Sequence, residues 1–133
     1  MRYVLDASVA VASLRPNEPL HAAAVAYLTP LLKGLDDMVV PSVFRIEVAS
    51  ALARSGFTPS QANRFVAGFV GRSTVVTIGP GRSRKIQGVA VATRLRAADA
   101  IYVWLAETEG IPLVTADREI HQRAAGRCQV VAP

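Results

Sequence analysis

Seven residues near the amino terminus, Arg2 to Ser8 in RYVLDAS, constrain this chain more than any other stretch. Tyr3, Val4 and Leu5 form an apolar run that ends on a carboxylate, Asp6, with a hydroxyl, Ser8, two residues later. A short apolar run that gives way to polar residues reads as a strand buried on both faces, the habit of a central strand in a parallel sheet. In open α/β sheets ligands collect beyond the carboxyl ends of the strands, so Asp6 is placed to point into a site and not into the core. The rest of the chain must then supply whatever meets it there.

Downstream, β-branched runs alternate with segments of helical spacing. DMVVP ends at Pro41, STVVT is closed by Gly79 and Pro80, IPLVT precedes Asp117, and CQVVA begins at Cys128; these are the further strands. SVAVASL makes two helical turns that Pro16 stops, and Leu20, Ala24, Tyr27, Leu28 and Leu31 recur at helical spacing up to Gly34. Val43, Ile46, Val48, Ala51 and Leu52 do the same from Ser42 onward. Thr58, Pro59 and Gln61 form a capping signature that opens a helix running to Gly71. Residues 81–97 read as a helix with a basic first half, residues 98–109 as another that Gly110 stops, and residues 119–125 as a short last one. Strands alternating with helices predict one α/β domain over residues 1–133, built on a mostly parallel five-stranded sheet.

The acids carry the chemistry. Asp117 follows its strand as Asp6 follows the first, which puts both on one rim of a parallel sheet. Glu47 lies between Ile46 and Val48, and Asp99 between Ala98 and Ala100, each in a largely apolar helical segment. A single acid so placed is more often aimed at solvent than at a site. Four of them are another matter, because two carboxylates about 5 Å apart at an effective dielectric near 20 repel by roughly 3 kcal/mol. A divalent cation removes that repulsion, and an oxygen-only ligand set favours Mg²⁺ or Mn²⁺ over zinc.

The charge balance fits such a pocket. The chain has a formal net charge of +5 and an isoelectric point near 10.1. Setting aside four of the ten acids leaves six against fifteen basic groups, a basic body around an acidic hole. The body would attract the phosphates that the hole alone would repel. Composition by itself leaves an acidic protein partner equally open. The single cysteine, Cys128, has no partner for an internal disulfide, and Asp6 interrupts the uncharged segment that a secretory signal needs. The longest uncharged run, Pro19–Leu32, falls short of the roughly 20 apolar residues that span a bilayer. A soluble cytoplasmic protein without membrane attachment is expected. His21 is read as a surface residue and Cys128 as a core residue, neither with a chemical role.

Four motifs in register carry a family resemblance: VLDAS at Val4–Ser8, P-S-x-x-x-x-E-V-x-x-A-L at Pro41–Leu52, ADAIYVWLA at Ala98–Ala106, and PLVTAD at Pro112–Asp117. Together they resemble the PIN domain, specifically the VapC-type toxin ribonucleases, over essentially the whole chain. The resemblance implies a three-layer α/β/α fold and Mg²⁺- or Mn²⁺-dependent endonucleolytic cleavage of RNA by activated water, leaving 5′-phosphate and 3′-hydroxyl ends. It also implies a homodimer and a small antitoxin encoded nearby.

Carried over residue by residue, Asp6, Glu47, Asp99 and Asp117 are the catalytic and metal-binding acids. Ser8 and Thr115 match the hydroxyls that support them by hydrogen bonding to carboxylates or metal-bound water. Glu119 stands where many relatives have a further acid, with an exposed helix-start acid as the alternative. Trp104 departs from the smaller residue usual at its place, which points to a local difference in packing or dimer surface.

Arg96 and Arg118 stand close in sequence to Asp99 and Asp117 and are candidates to grip phosphates. Arg82, Arg84 and Lys85 could line an RNA path or meet an acidic segment of the antitoxin, and a solvated helix face is the equal alternative. Phosphatases that use an aspartate nucleophile need a second acid two residues later, where this chain has Ser8, and GPGRSR lacks the spacing of a phosphate-binding loop. The remaining alternative is a PIN-like module that binds RNA or a partner and regulates while cleaving little.

Overall fold

The apolar run before Asp6 forms the middle strand of a five-stranded sheet in the computed structural model, which describes residues 1–133. In chain order the elements are β1 (Arg2–Leu5), α1 (Ala7–Leu14), α2 (His21–Leu32), β2 (Asp37–Pro41), α3 (Phe44–Arg54), α4 (Pro59–Val70), β3 (Ser73–Val76), α5 (Pro80–Thr93), α6 (Ala97–Glu109), β4 (Leu113–Val114), α7 (Arg118–Arg123) and β5 (Val130–Val131). The strand order is β3-β2-β1-β4-β5, and every pairing is parallel. The chain therefore winds outward from β1 through β2 to β3, then crosses back to lay β4 on the other side of β1. A crevice opens beyond the carboxyl ends of the strands where the winding reverses. Asp6 directly follows β1 and Asp117 lies three residues beyond β4, so both stand at that crevice.

Burial explains why β1 takes the centre. Tyr3, Val4 and Leu5 are fully buried, as are Val39 of β2 and Leu113 and Val114 of β4. The helices flank the sheet in two groups, giving three layers. In one, α1 packs on α2 and α3, and α3 on α4; in the other, α6 lies along β1, β2 and β4 and carries α5. Leu28, Phe44, Val48 and Leu52 enter the core from the first group, and Tyr102, Val103 and Leu105 from the second. Each large apolar side chain withdrawn from water contributes about 1.5–3 kcal/mol. Trp104 is also buried, so its bulk is absorbed inside the molecule. No helix is long and apolar enough to cross a membrane.

Local chemistry sets several boundaries where the sequence predicts them. Thr58 Oγ1 accepts from the Gln61 N–H at 3.2 Å, Gln61 Oε1 accepts from the Thr58 N–H at 2.9 Å, and Pro59 opens α4. Gly110, at φ 65°, ends α6 in the left-handed conformation that costs glycine little.

Other expectations are corrected. The helix expected over residues 81–97 stops at Thr93, because Arg94 turns left-handed at φ 58° and the Leu95 N–H caps on Thr93 Oγ1 at 3.3 Å. CQVVA contributes only Val130 and Val131 to the sheet, so Cys128 precedes the strand and is half-buried, not core. His21 is tied down, with Nδ1 2.8 Å from the Ala12 carbonyl oxygen at the end of α1. Ile46, whose spacing predicts an inward contact, is 66 % exposed, and Phe44 takes the core place at the start of α3.

Candidate active site

Asp6 occupies the residue before α1, where an aspartate would ordinarily cap the helix, yet its side chain makes no capping bond. Its Oδ2 instead accepts from Ser8 Oγ at 2.7 Å and from Thr115 Oγ1 at 2.6 Å. Two hydroxyls on one oxygen stabilise the carboxylate through charge-assisted bonds and fix its direction. Oδ1 has no protein donor. Asp6 is only 5 % exposed, so this is a buried carboxylate with one oxygen left over.

Glu47 and Asp99 reach the same place from opposite sides of the sheet. Glu47 lies in the first turn of α3, and its Oε1 accepts from the Tyr102 hydroxyl of α6 at 2.7 Å. Burial pushes the Glu47 carboxyl above its usual range; the Tyr102 bond works against this, and the charges of Asp6 and Asp99 add to it. The Tyr102 hydroxyl is itself held protonated, first by burial and then by the charge of Glu47, and so remains a donor. Asp99 lies in the first turn of α6. Burial, then the charges of Asp117 and Asp6, push it up to about 6, and the Arg96 guanidinium offsets part of the rise.

Asp117 caps α7, its Oδ1 accepting from the N–H groups of Glu119 at 2.7 Å and Ile120 at 3.4 Å. Its own N–H donates to Thr115 Oγ1 at 3.1 Å. Thr115 is fully buried and thus joins the ends of β1 and β4 through one hydroxyl.

These residues line one cleft of about 710 Å³, which contains Asp6, Ser8, Glu47, Asp99, Asp117 and Arg118. The four acids predicted as a set are therefore neighbours, and the charges of some raise the proton affinity of others. They share the cleft without closing on a point: no three stand together as a ready-made ion cage. The donor set is oxygen throughout, which suits a hard divalent cation; Asp6 Oδ1, the oxygen of Asp117 that does not cap α7, Glu47 Oε2 and both oxygens of Asp99 carry no protein donor. Besides the acids, the polar side chains of the lining are Ser8 and Arg118.

The remaining predicted residues divide. Arg118 lines the cleft, and Arg96 precedes α6 within electrostatic reach of Asp99. Glu119 pairs with Arg123 at 3.1 Å, yet its charge still reaches Asp99. Arg82, Arg84 and Lys85 are exposed on α5 and do not line the cleft.

Three participants escape sequence reasoning. Tyr102 stands three residues after Asp99, a helical spacing that could have marked it as sharing that face. Glu18 lines the cleft and pairs with Arg15, but nothing local indicates that the loop after α1 folds over the rim. His121 Nε2 lies 3.0 Å from the Thr115 carbonyl oxygen, and its spacing from Asp117 is the only sign of that in the sequence.

A parallel sheet with an acid-lined crevice at its switch point defines an α/β protein of doubly wound type. The PIN domain model matches residues 3–126, and the chain belongs to the PIN domain family, whose members are generally nucleases. Among solved structures, the crystal structure of VapBC2 from Rickettsia felis, bound to a DNA fragment from its promoter, superposes with a TM-score of 0.74 at 14 % identity, covering 99 % of this chain and 98 % of that one. PAE2754 from Pyrobaculum aerophilum superposes at 0.69 with 26 % identity, covering 98 % of this chain and 83 % of the other. A toxin–antitoxin complex from Klebsiella pneumoniae gives 0.68 at 16 % identity, with 97 % and 95 % covered. No curated protein sequence matches significantly.

Proposed function

We propose that this chain is a Mg²⁺- or Mn²⁺-dependent endoribonuclease and the toxin of a toxin–antitoxin pair. The observation that carries the reading is the single cleft that gathers Asp6, Glu47, Asp99 and Asp117, where burial and mutual charge raise the proton affinity of Glu47 and Asp99. Such an arrangement costs stability unless a cation shares the site.

Asp6 through Oδ1, Asp117 through the oxygen that does not cap α7, and Asp99 would hold the ion, with Glu47 acting directly or through water. Bound there, Mg²⁺ or Mn²⁺ supplies a Lewis acid that acidifies water and neutralises charge on a phosphodiester. Ser8 and Thr115 hold Asp6 Oδ2 and so aim its other oxygen. Tyr102 aims Glu47 and offsets part of the rise that burial causes in its carboxyl. Arg118 at the cleft wall and Arg96 beside Asp99 would steady the phosphate.

The choice of a polyanionic substrate rests on the charge distribution. Residues 38–98 carry nine arginines and lysines, and Glu47, inside the cleft, is the only acid among them. All nine bases are exposed and none is ion-paired. Unpaired cations of this density favour phosphate backbones through counterion release. The Arg82, Arg84 and Lys85 group belongs to this outer electrostatic field, whereas Glu119, paired with Arg123, acts on Asp99.

An antitoxin partner, a homodimer and a cytoplasmic setting complete the reading; the antitoxin is supported by the solved toxin–antitoxin complexes with this fold. The alternative, a binding module acting with its partner on nucleic acid, draws on the promoter DNA in the Rickettsia felis complex. Brief induced expression of the wild type and of Asp99→Ala, with and without the neighbouring small gene, separates the two. A toxic nuclease arrests growth and cuts RNA only as wild type and only without its partner. Equal arrest by both forms, or no cleavage of RNA by purified wild type in Mn²⁺, sinks the nuclease.

A further inference from the structure

The last helix is too short to stand alone. α7 has six residues, well below the length at which an isolated helix persists in water, so something outside it must hold it in place. Ile120, fully buried, packs it on the core, and two of its polar side chains reach parts of the candidate site. His121 Nε2 lies 3.0 Å from the Thr115 carbonyl oxygen. A carbonyl can only accept, so this ring nitrogen carries the hydrogen. With that contact every polar group of buried Thr115 is engaged: the N–H donates to Val131, and the hydroxyl joins Asp6 to Asp117.

Arg123 reaches in another direction. Its Nη1 donates to the Arg94 carbonyl oxygen at 2.6 Å, and its Nη2 lies 3.1 Å from Glu119 Oε1. Arg94 is the only residue other than glycine with positive φ, at 58°, and it sits in the turn that starts α6 and delivers Asp99 five residues later. The Thr93 hydroxyl holds this turn from within and Arg123 from without.

We propose that α7 is a brace, and that His121 and Arg123 are positioning residues which set the spacing between Asp117 and Asp99. Asp117 caps the brace at one end. His121 fixes the strand end behind it, and Arg123 ties the other end of the brace to the turn before Asp99. The consequence for function rests on the metal-dependent reading of the cleft: carboxylates that repel one another must be held at a fixed spacing if a cation is to bridge them. The brace itself is a statement about the chain and can be read without metal.

The test uses four variants of the full chain. His121→Gln keeps an N–H donor near Nε2, and His121→Leu keeps bulk without it. Arg123→Met keeps the stem and loses the fork, whereas Arg123→Lys keeps the charge but cannot reach both partners. In metal-free protein, hydrogen exchange should quicken in residues 95–100 for the Arg123 variants and in residues 117–120 for His121→Leu, with the sheet unchanged. Mn²⁺ should bind the Leu and Met variants roughly ten- to a hundredfold more weakly. Cleavage of RNA should lose kcat with KM nearly constant, and His121→Gln should restore all three readouts.

The brace is overturned if folded His121→Leu and Arg123→Met exchange and bind Mn²⁺ as the wild type does, or if His121→Gln is as impaired as His121→Leu. Should the Leu or Met variant fail to fold, Arg123→Lys decides by the same readouts. A wild type that neither takes Mn²⁺ nor cuts RNA removes the nuclease reading, and exchange then decides the brace alone: faster exchange confined to those segments supports it, and unchanged exchange overturns it.

Discussion

Replacing Asp99 by asparagine should make the metal-free protein more stable. The Asp99 carboxyl is pushed from 3.8 to about 6, by burial first and then by the charges of Asp117 and Asp6. Between those values the native state binds more protons than the unfolded chain, so stability falls as pH rises through that window. The penalty is fully present above it and vanishes below the unfolded value. A rise of that size corresponds to roughly 3 kcal/mol. Solvent screening of this half-buried group, and the lost attraction between a carboxylate and a helix N-terminus, reduce the expected gain to about 1–2 kcal/mol. At about 2.1 cal/mol/K per residue, that is roughly 4–7 °C in Tm for a chain of this size.

Thermal unfolding of wild type and Asp99→Asn in chelator should show that difference at pH 8 and little of it at pH 4. On the proposed reading Mn²⁺ should then raise Tm for the wild type and much less for the variant, because the carboxylate that destabilises the metal-free cleft would be one of the ligands. An asparagine variant that melts at or below the wild type at pH 8 in chelator would refute the reasoning.

Other perturbations read different parts of the site. Thr115→Val leaves Asp6 without a buried donor and the Asp117 N–H without its acceptor, which should cost about 1–3 kcal/mol by denaturant unfolding and weaken Mn²⁺ binding. Tyr102→Phe removes the bond that holds the Glu47 carboxyl down, so the pH at which Mn²⁺ binding is half lost should move upward, measured by calorimetry from pH 5 to 8. In the wild type that loss should set in as pH falls through about 6, where Asp99 takes up its proton. Thr58→Ala, which breaks the capping box of α4 outside the cleft, should cost about 0.5–2 kcal/mol and leave RNA cleavage at the wild-type rate.

Features that depend on near neighbours are legible in the amino-acid order alone. Capping chemistry at Thr58 and Gln61 and the glycine at Gly110 place helix ends because each acts within a few residues. Apolar runs ending on Asp6 and before Asp117 place both acids at strand ends, and the motifs around Glu47 and Asp99 single out the other two.

Which side chains meet is settled only in three dimensions. Tyr102 serves Glu47 from 55 residues away and Thr115 serves Asp6 from 109 away, pairings that exist only because the sheet sets β4 against β1 and α6 packs on it. The fold also brings Glu18 to the cleft, leaves the Arg82 group outside it, and ends α5 early at a left-handed Arg94. Local propensity is written in short windows, whereas a long-range hydrogen bond depends on strand order, and strand order is fixed only when the whole core is buried together.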